Sequence, residues 1–132
     1  MFSVETRTVD GQVTALGSAG SFTLVVDRPA DAGGGGKGFN GGQLLYLAVA
    51  GCVSDDLFRE APRLGVELES VRVTVEGDFS GNPAVSDAIA YDVELRGSGD
   101  LDALVREVDR IAEIPNTLRR GASVSLRTTR IV

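Results

Sequence analysis

The chain has 132 residues and a formal net charge of −6, with one Cys, one Met, no His and no Trp. Without an imidazole there is no Ser-His-Asp triad or Cys-His dyad, and one thiol cannot supply an intrachain disulfide or a four-ligand zinc site. The acidic balance lacks the basic run of a nucleic-acid binder, no apolar run reaches the roughly 18 residues of a membrane span, and Met1 to Asp10 lacks a signal peptide's apolar core, so the expectation is one soluble, cytoplasmic domain over residues 1–132.

Phe2 to Leu16 holds short alternating pieces around Asp10-Gly11, a hairpin turn signal. Phe22 to Val26 reads as a strand with Phe22, Leu24 and Val26 on one face, stopped by Pro29. Ala30 to Gly38 is a glycine-rich loop with little to pack, either mobile or held by a partner surface. A helix follows with complete start signals. Asn40 fits the N-cap, Gln43 the third helical position of a capping box, and Phe39 with Leu44 a hydrophobic staple. The helix is expected from Gly41 to about Ala61, with Pro62 disrupting its last turn and Gly65 closing it. Leu44 to Val53 is apolar all round, which predicts burial on every side. Ala48, Gly51 and Cys52 permit close approach of another helix, and in so small a protein a second subunit has to supply the cover.

Val71, Val73 and Val75 alternate with polar residues in a half-buried strand. Ser80 to Pro83 reads as a turn, and Ile89, Tyr91, Val93 and Leu95 mark the returning strand. Asp100 caps a second helix from Leu101 to about Ile111. Its apolar stripe is Leu101, Leu104, Val105, Val108, Ile111 and Ala112, opposite Asp102, Arg106, Glu107 and Arg110. Pro115 is expected to end it, Asn116 to Gly121 to form a polar loop, and Val124, Leu126 and Thr128 to alternate in a last strand. The order is that of an α+β protein with a mainly antiparallel sheet.

Gly33, Gly35 and Gly38 match G-x-G-x-x-G, but a run of four glycines satisfies such patterns cheaply. The acidic residues about twenty positions on, Asp55 and Asp56, fall inside the helix, so no dinucleotide site is expected. Asp31 and Gly38 break the P-loop pattern. No cofactor and no metal is therefore expected. Cys52, the only soft nucleophile, is either a small buried hydrophobe or a reactive thiol. Asp55 and Asp56, one turn on, oppose thiolate formation, and an activating cation would have to come from Arg28, Arg7 or Arg119. The two carboxylates point about 100° apart and read as a solvated helix face rather than an acid–base pair. Arg119 and Arg120 read either as solvated arginines or as an anion contact beside the helix end.

The glycine-rich loop leading into Gly38-Phe39-Asn40-Gly41-Gly42-Gln43-Leu44-Leu45, then Ala48-Val49-Ala50-Gly51-Cys52, and later Pro115-Asn116-Thr117-Leu118-Arg119, resembles the OsmC/Ohr superfamily of osmotically inducible protein C and organic hydroperoxide resistance proteins. The resemblance covers nearly the whole chain, most specifically residues 33 to 65 and 100 to 131. It implies an intertwined homodimer, with two central helices wrapped by sheets from both chains. It also implies thiol peroxidase chemistry on organic hydroperoxides. By that resemblance Cys52 matches the peroxidatic thiol, Arg28 stands for the activating arginine, and Gly42, Leu45 and Arg119 would line the substrate. Ala112 occupies the position of the resolving Cys, Gly42 that of the family glutamate and Gly41 that of its proline.

Three functions follow as expectations. The first is a one-cysteine peroxidase in which an external thiol reduces the Cys52 sulfenic acid. The alternative is a non-catalytic OsmC-fold protein that binds a small apolar or anionic molecule at the dimer interface. The last is a purely structural dimer or protein partner.

Overall fold

The computed structural model describes residues 1–132, which group into two units, Met1–Leu47 and Ala48–Val132.

In the N-terminal unit, β1 (Glu5–Thr8), β2 (Ala15–Ala19) and β3 (Phe22–Val26) form an antiparallel meander in the order β1-β2-β3. The register places Ala15 opposite Val26 and Gly17 opposite Leu24. Phe22 and Leu24 remain exposed, and only Thr14, Ala15 and Asp27 of this unit are buried. The glycine-rich stretch is tied down within the chain rather than left loose. Asp27 accepts hydrogen bonds from the Thr14 hydroxyl (2.9 Å) and from the backbone N–H groups of Arg28 (2.9 Å), Gly35 (3.1 Å) and Lys37 (3.2 Å). A short 3-10 turn at Ala30–Ala32 starts the loop. At its end, Phe39 donates to the Val25 carbonyl (3.0 Å) and Asp27 donates to the Phe39 carbonyl (2.9 Å). This backbone approach requires a residue without Cβ at Gly38, where a methyl group would strike the Val25 carbonyl.

α1 (Gly41–Glu60) opens on the expected capping box. Gln43 donates its N–H to Asn40 Oδ1 (2.9 Å) and Asn40 donates its N–H to Gln43 Oε1 (3.0 Å). Its middle is not covered all round, because Leu47, Ala48 and Gly51 are exposed. A single chain does not supply the elements to bury that side.

In the C-terminal unit, α1 ends in a 3-10 turn at Ala61–Leu64, which Gly65 closes at φ 67°. β4 (Glu67–Glu76) pairs antiparallel with β7 (Ala90–Ser98), and the small hairpin of β5 (Phe79–Gly81) and β6 (Ala84–Ser86) lies between them in sequence. The register sets Val71 against Leu95, Val73 against Val93 and Val75 against Tyr91, so the alternating residues share one face. That face packs on a core of Val53, Leu57, Ala61, Val66, Leu104, Val108 and Ala112. α2 (Leu101–Ile111) is capped by Asp100, whose carboxylate accepts from the Ala103 N–H at 3.0 Å.

Two expectations fail here. Pro115 does not end helical structure: the chain breaks at Ala112 and restarts as α3 (Glu113–Arg120), so the expected polar loop is helical. Pro115 lies in the first turn of α3, where its missing N–H costs no hydrogen bond. The expected last strand is not one, since residues 121–132 pair with no strand and Val124 and Leu126 are exposed. Alternation alone makes no ladder; a strand exists only where its backbone pairs with another. No helix is long and apolar enough to cross a membrane.

Candidate functional site

Helical periodicity selects the buried face of α1: Val49, Val53, Asp56, Leu57 and Glu60. Two carboxylates thus fall inside an apolar stripe. Cys52 lies beside this stripe, half-buried, packed against the core cluster that holds Ala112. Position 112, the resolving position implied by the resemblance, is fully buried.

The Cys52 thiol donates to Asp56 Oδ2 across a long 4.0 Å contact. Asp56 is only 6% exposed. Its other oxygen, Oδ1, pairs with Arg59 Nη1 at 3.1 Å. Arg59 Nε donates to Glu60 Oε1 (3.2 Å), and Arg63 Nη1 holds Glu60 Oε2 (2.8 Å). Cys52, Asp56 and Arg59 stand at i, i+4 and i+7 and therefore share a helix face. Burial pushes the Asp56 carboxyl above its ordinary value; Arg59 opposes the shift, while the charges of Glu113, Glu60 and Asp55 add to it. Asp55, by contrast, is exposed. The expected pair of solvated carboxylates is therefore split, one in water and one buried against the thiol.

Arg119 does not present a free guanidinium. Its Nη2 pairs with Asp109 Oδ1 at 2.6 Å, and its Nη1 donates to the Asp109 carbonyl (2.9 Å) and to Asn116 Oδ1 (3.0 Å). Tyr91 donates its hydroxyl to the same Asp109 oxygen. Burial, and then this bond, push the Tyr91 phenol up to about 12. Bonds from Tyr91 and Arg119 hold Asp109 below its ordinary value. An open groove of about 520 Å³ runs beside them, lined in part by Tyr91, Val93, Val105, Arg106 and Asp109.

Cys52 and Arg119 thus occupy separate networks of the C-terminal unit. Gly42 and Leu45 lie half-buried in the first turns of α1, in the N-terminal unit. Arg28 lies in that unit too, with an exposed side chain and its backbone bound to Asp27 and Gly36. Arg7 meets only Glu5, at 3.8 Å in an exposed pair. No group of three or more Cys, Asp or Glu side chains is arranged to hold a metal ion. The sequence places Asp56 one turn from the thiol, as the structure does, but its pattern reads as solvated together with Asp55. Sequence reasoning missed Arg59, although its spacing from Cys52 and Asp56 was a usable signal.

The family model for the OsmC-like protein matches residues 34–127, which include α1 with Cys52, the β4–β7 pair and α2 with α3. The chain belongs to the OsmC-like family. Solved structures of this fold agree. An OsmC-like protein from Mycoplasma pneumoniae superposes with a TM-score of 0.78 at 18% identity, over 90% of this chain and 87% of that one. An organic hydroperoxide resistance protein OsmC from Legionella pneumophila gives 0.70 at 21%, over 90% and 89%. A protein from Vibrio cholerae assigned to organic hydroperoxide resistance, with captopril bound in one of its active sites, gives 0.61 at 22%, over 90% and 84%. At these identities the likeness establishes the α+β OsmC fold. Among curated proteins, none matches the chain.

Proposed function

We propose that this OsmC-like protein is a one-cysteine thiol peroxidase that reduces organic hydroperoxides through Cys52. The observation that carries the reading is the placement of the only thiol: half-buried on α1, in partial contact with solvent, within the segment matched to the family. The Cys52 sulfur attacks the peroxide oxygen and becomes a sulfenic acid while the peroxide leaves as an alcohol. With Ala112 in place of a second Cys, no intrachain disulfide forms, so two equivalents of an external thiol return Cys52 to the thiol, releasing their disulfide and water.

The working form is a cytoplasmic homodimer. Support for a second copy comes from the uncovered apolar side chains of α1, Leu47 and Phe58, and from the unpaired apolar residues of segment 121–132. Trapping of sulfenic acid with dimedone after adding cumene hydroperoxide tests the activity. The adduct is expected on Cys52, with peroxide consumed faster than by a Cys52→Ala control. If Cys52 stays a thiol while peroxide loss matches the control, the reading is wrong.

A second reading is kept because the thiol's polar neighbour is a carboxylate. In that reading the protein binds a small molecule without turning it over. A broad thermal-shift screen is expected to show stabilisation by one ligand class, following mass action.

A further inference from the structure

We propose that Asp56 is the proton acceptor for Cys52, and that Arg59 is a positioning residue that pins the carboxylate with one oxygen turned to the sulfur. This rests on the peroxidase reading for its reaction, though not for its test. Two like charges at one site disfavour each other, so a thiolate beside an ionised Asp56 is unfavourable. The difficulty disappears if the proton moves from sulfur to Oδ2, because the pair then carries one negative charge before and after the transfer. The geometry suits this. Oδ1 is occupied by Arg59 at 3.1 Å, leaving Oδ2 as the oxygen that meets the thiol. The 4.0 Å separation is long, as catalytic hydrogen bonds often are before substrate binds. A buried carboxyl with raised proton affinity is also a better match to a thiol than a solvated one.

The proposed step balances. Cys52 passes its proton to Asp56, and the thiolate attacks the terminal oxygen of the hydroperoxide. An S–O bond forms, the O–O bond breaks, sulfur is oxidised by two electrons and the peroxide is reduced. The departing alkoxide takes the proton from Asp56 and leaves as the alcohol, restoring the carboxylate.

The test is the rate of Cys52 alkylation by iodoacetamide in the full chain, followed from about pH 4 to 9. Alkylation involves no peroxide, so it judges Asp56 even if dimedone trapping fails. With Asp56→Asn the neutral-pH rate is expected to fall about tenfold or more. A rate equal to or above that of the unmodified chain overturns the inference, since that is what removal of a merely repelling charge would give. Arg59→Gln provides a second variant should Asp56→Asn not fold. The charged groups acting on Asp56 are Asp55, Arg59 and Glu60 on α1 and Glu113 on α3, and of these Arg59 alone favours the carboxylate form. Its loss is expected to move the acid limb of the pH profile to higher pH. An unmoved acid limb overturns the role of both residues.

Discussion

In the N-terminal unit only Thr14, Ala15 and Asp27 are buried, whereas in the C-terminal unit Val53, Leu57, Leu104 and Val108 are each at 1% exposure or less. One unit is organised around a carboxylate and the other around an apolar core. Each contains a buried aspartate, and the proton affinities of the two are shifted in opposite directions. Backbone N–H groups surround Asp27, that of Gly35 foremost, and hold its carboxyl below the usual 3.8 despite its burial. Asp56 sits among apolar side chains and is pushed above 3.8 by desolvation. Burial is common to both, so the supply of donors decides the sign. Donors make a buried carboxylate into a structural hub, and their scarcity leaves it poised to take a proton.

The largest effect is expected from removing apolar volume in the C-terminal core. Leu57→Ala should cost about 2–5 kcal/mol in urea unfolding, because Leu57 is fully buried among packed neighbours. A cost below about 1 kcal/mol would mean that this unit is not core-driven. Next comes Asp27→Asn, which turns an amide donor toward groups that are themselves donors. Faster hydrogen exchange at the Gly35 and Lys37 amides is expected, while the core amides of the other unit stay protected. The native carboxylate also sets a pH window. Its folded pKa lies below 3.8, so its contribution is complete above that value and is lost as the pH falls further. Acid should therefore loosen the loop, and a loop insensitive to pH below 3.8 would contradict the hub. Removal of the α2 cap by Asp100→Ala should cost about 1 kcal/mol by the same urea assay. The smallest effect has the opposite sign. The folded pKa of Asp56 is raised, so its stabilising form is the protonated one, lost as the pH rises through the folded value. At neutral pH, Asp56→Asn should slightly raise the unfolding midpoint while slowing alkylation, and a drop in midpoint would show that the Arg59 pair outweighs desolvation.

Much of the fold was legible because its signals are local. The Asn40–Gln43 capping box, the Asp100 cap and the alternation of β4 and β7 each lie within a few residues, and each takes its expected place. The misreadings share a cause, which is dependence on something distant in sequence. Whether Pro115 stops or starts a helix depends on where the preceding one breaks, and Val124 to Thr128 cannot show from its own pattern whether an edge awaits it. Asp27 follows a strand without any local mark of the donors that Gly35 and Lys37 bring back to it. Of the candidate site, Cys52 was visible as the only thiol. Asp56 was visible one turn from the thiol, but its burial was hidden by pairing it with Asp55 in sequence rather than with Val53 and Leu57 along the helix stripe.

The Asp27 hub also bears on how proteases would see this chain. A stretch with four consecutive glycines resembles a linker, the usual place for a first cut, yet the amide of Lys37 is bound to a buried carboxylate and the backbone after it is clamped to β3. Residues 121–132 have no such anchorage, and Arg127 and Arg130 stand exposed within them. In a chain that no second copy covers, trypsin should trim the C-terminal end first and spare the glycine run, so the sturdier of the two segments is the one whose composition looks the more fragile.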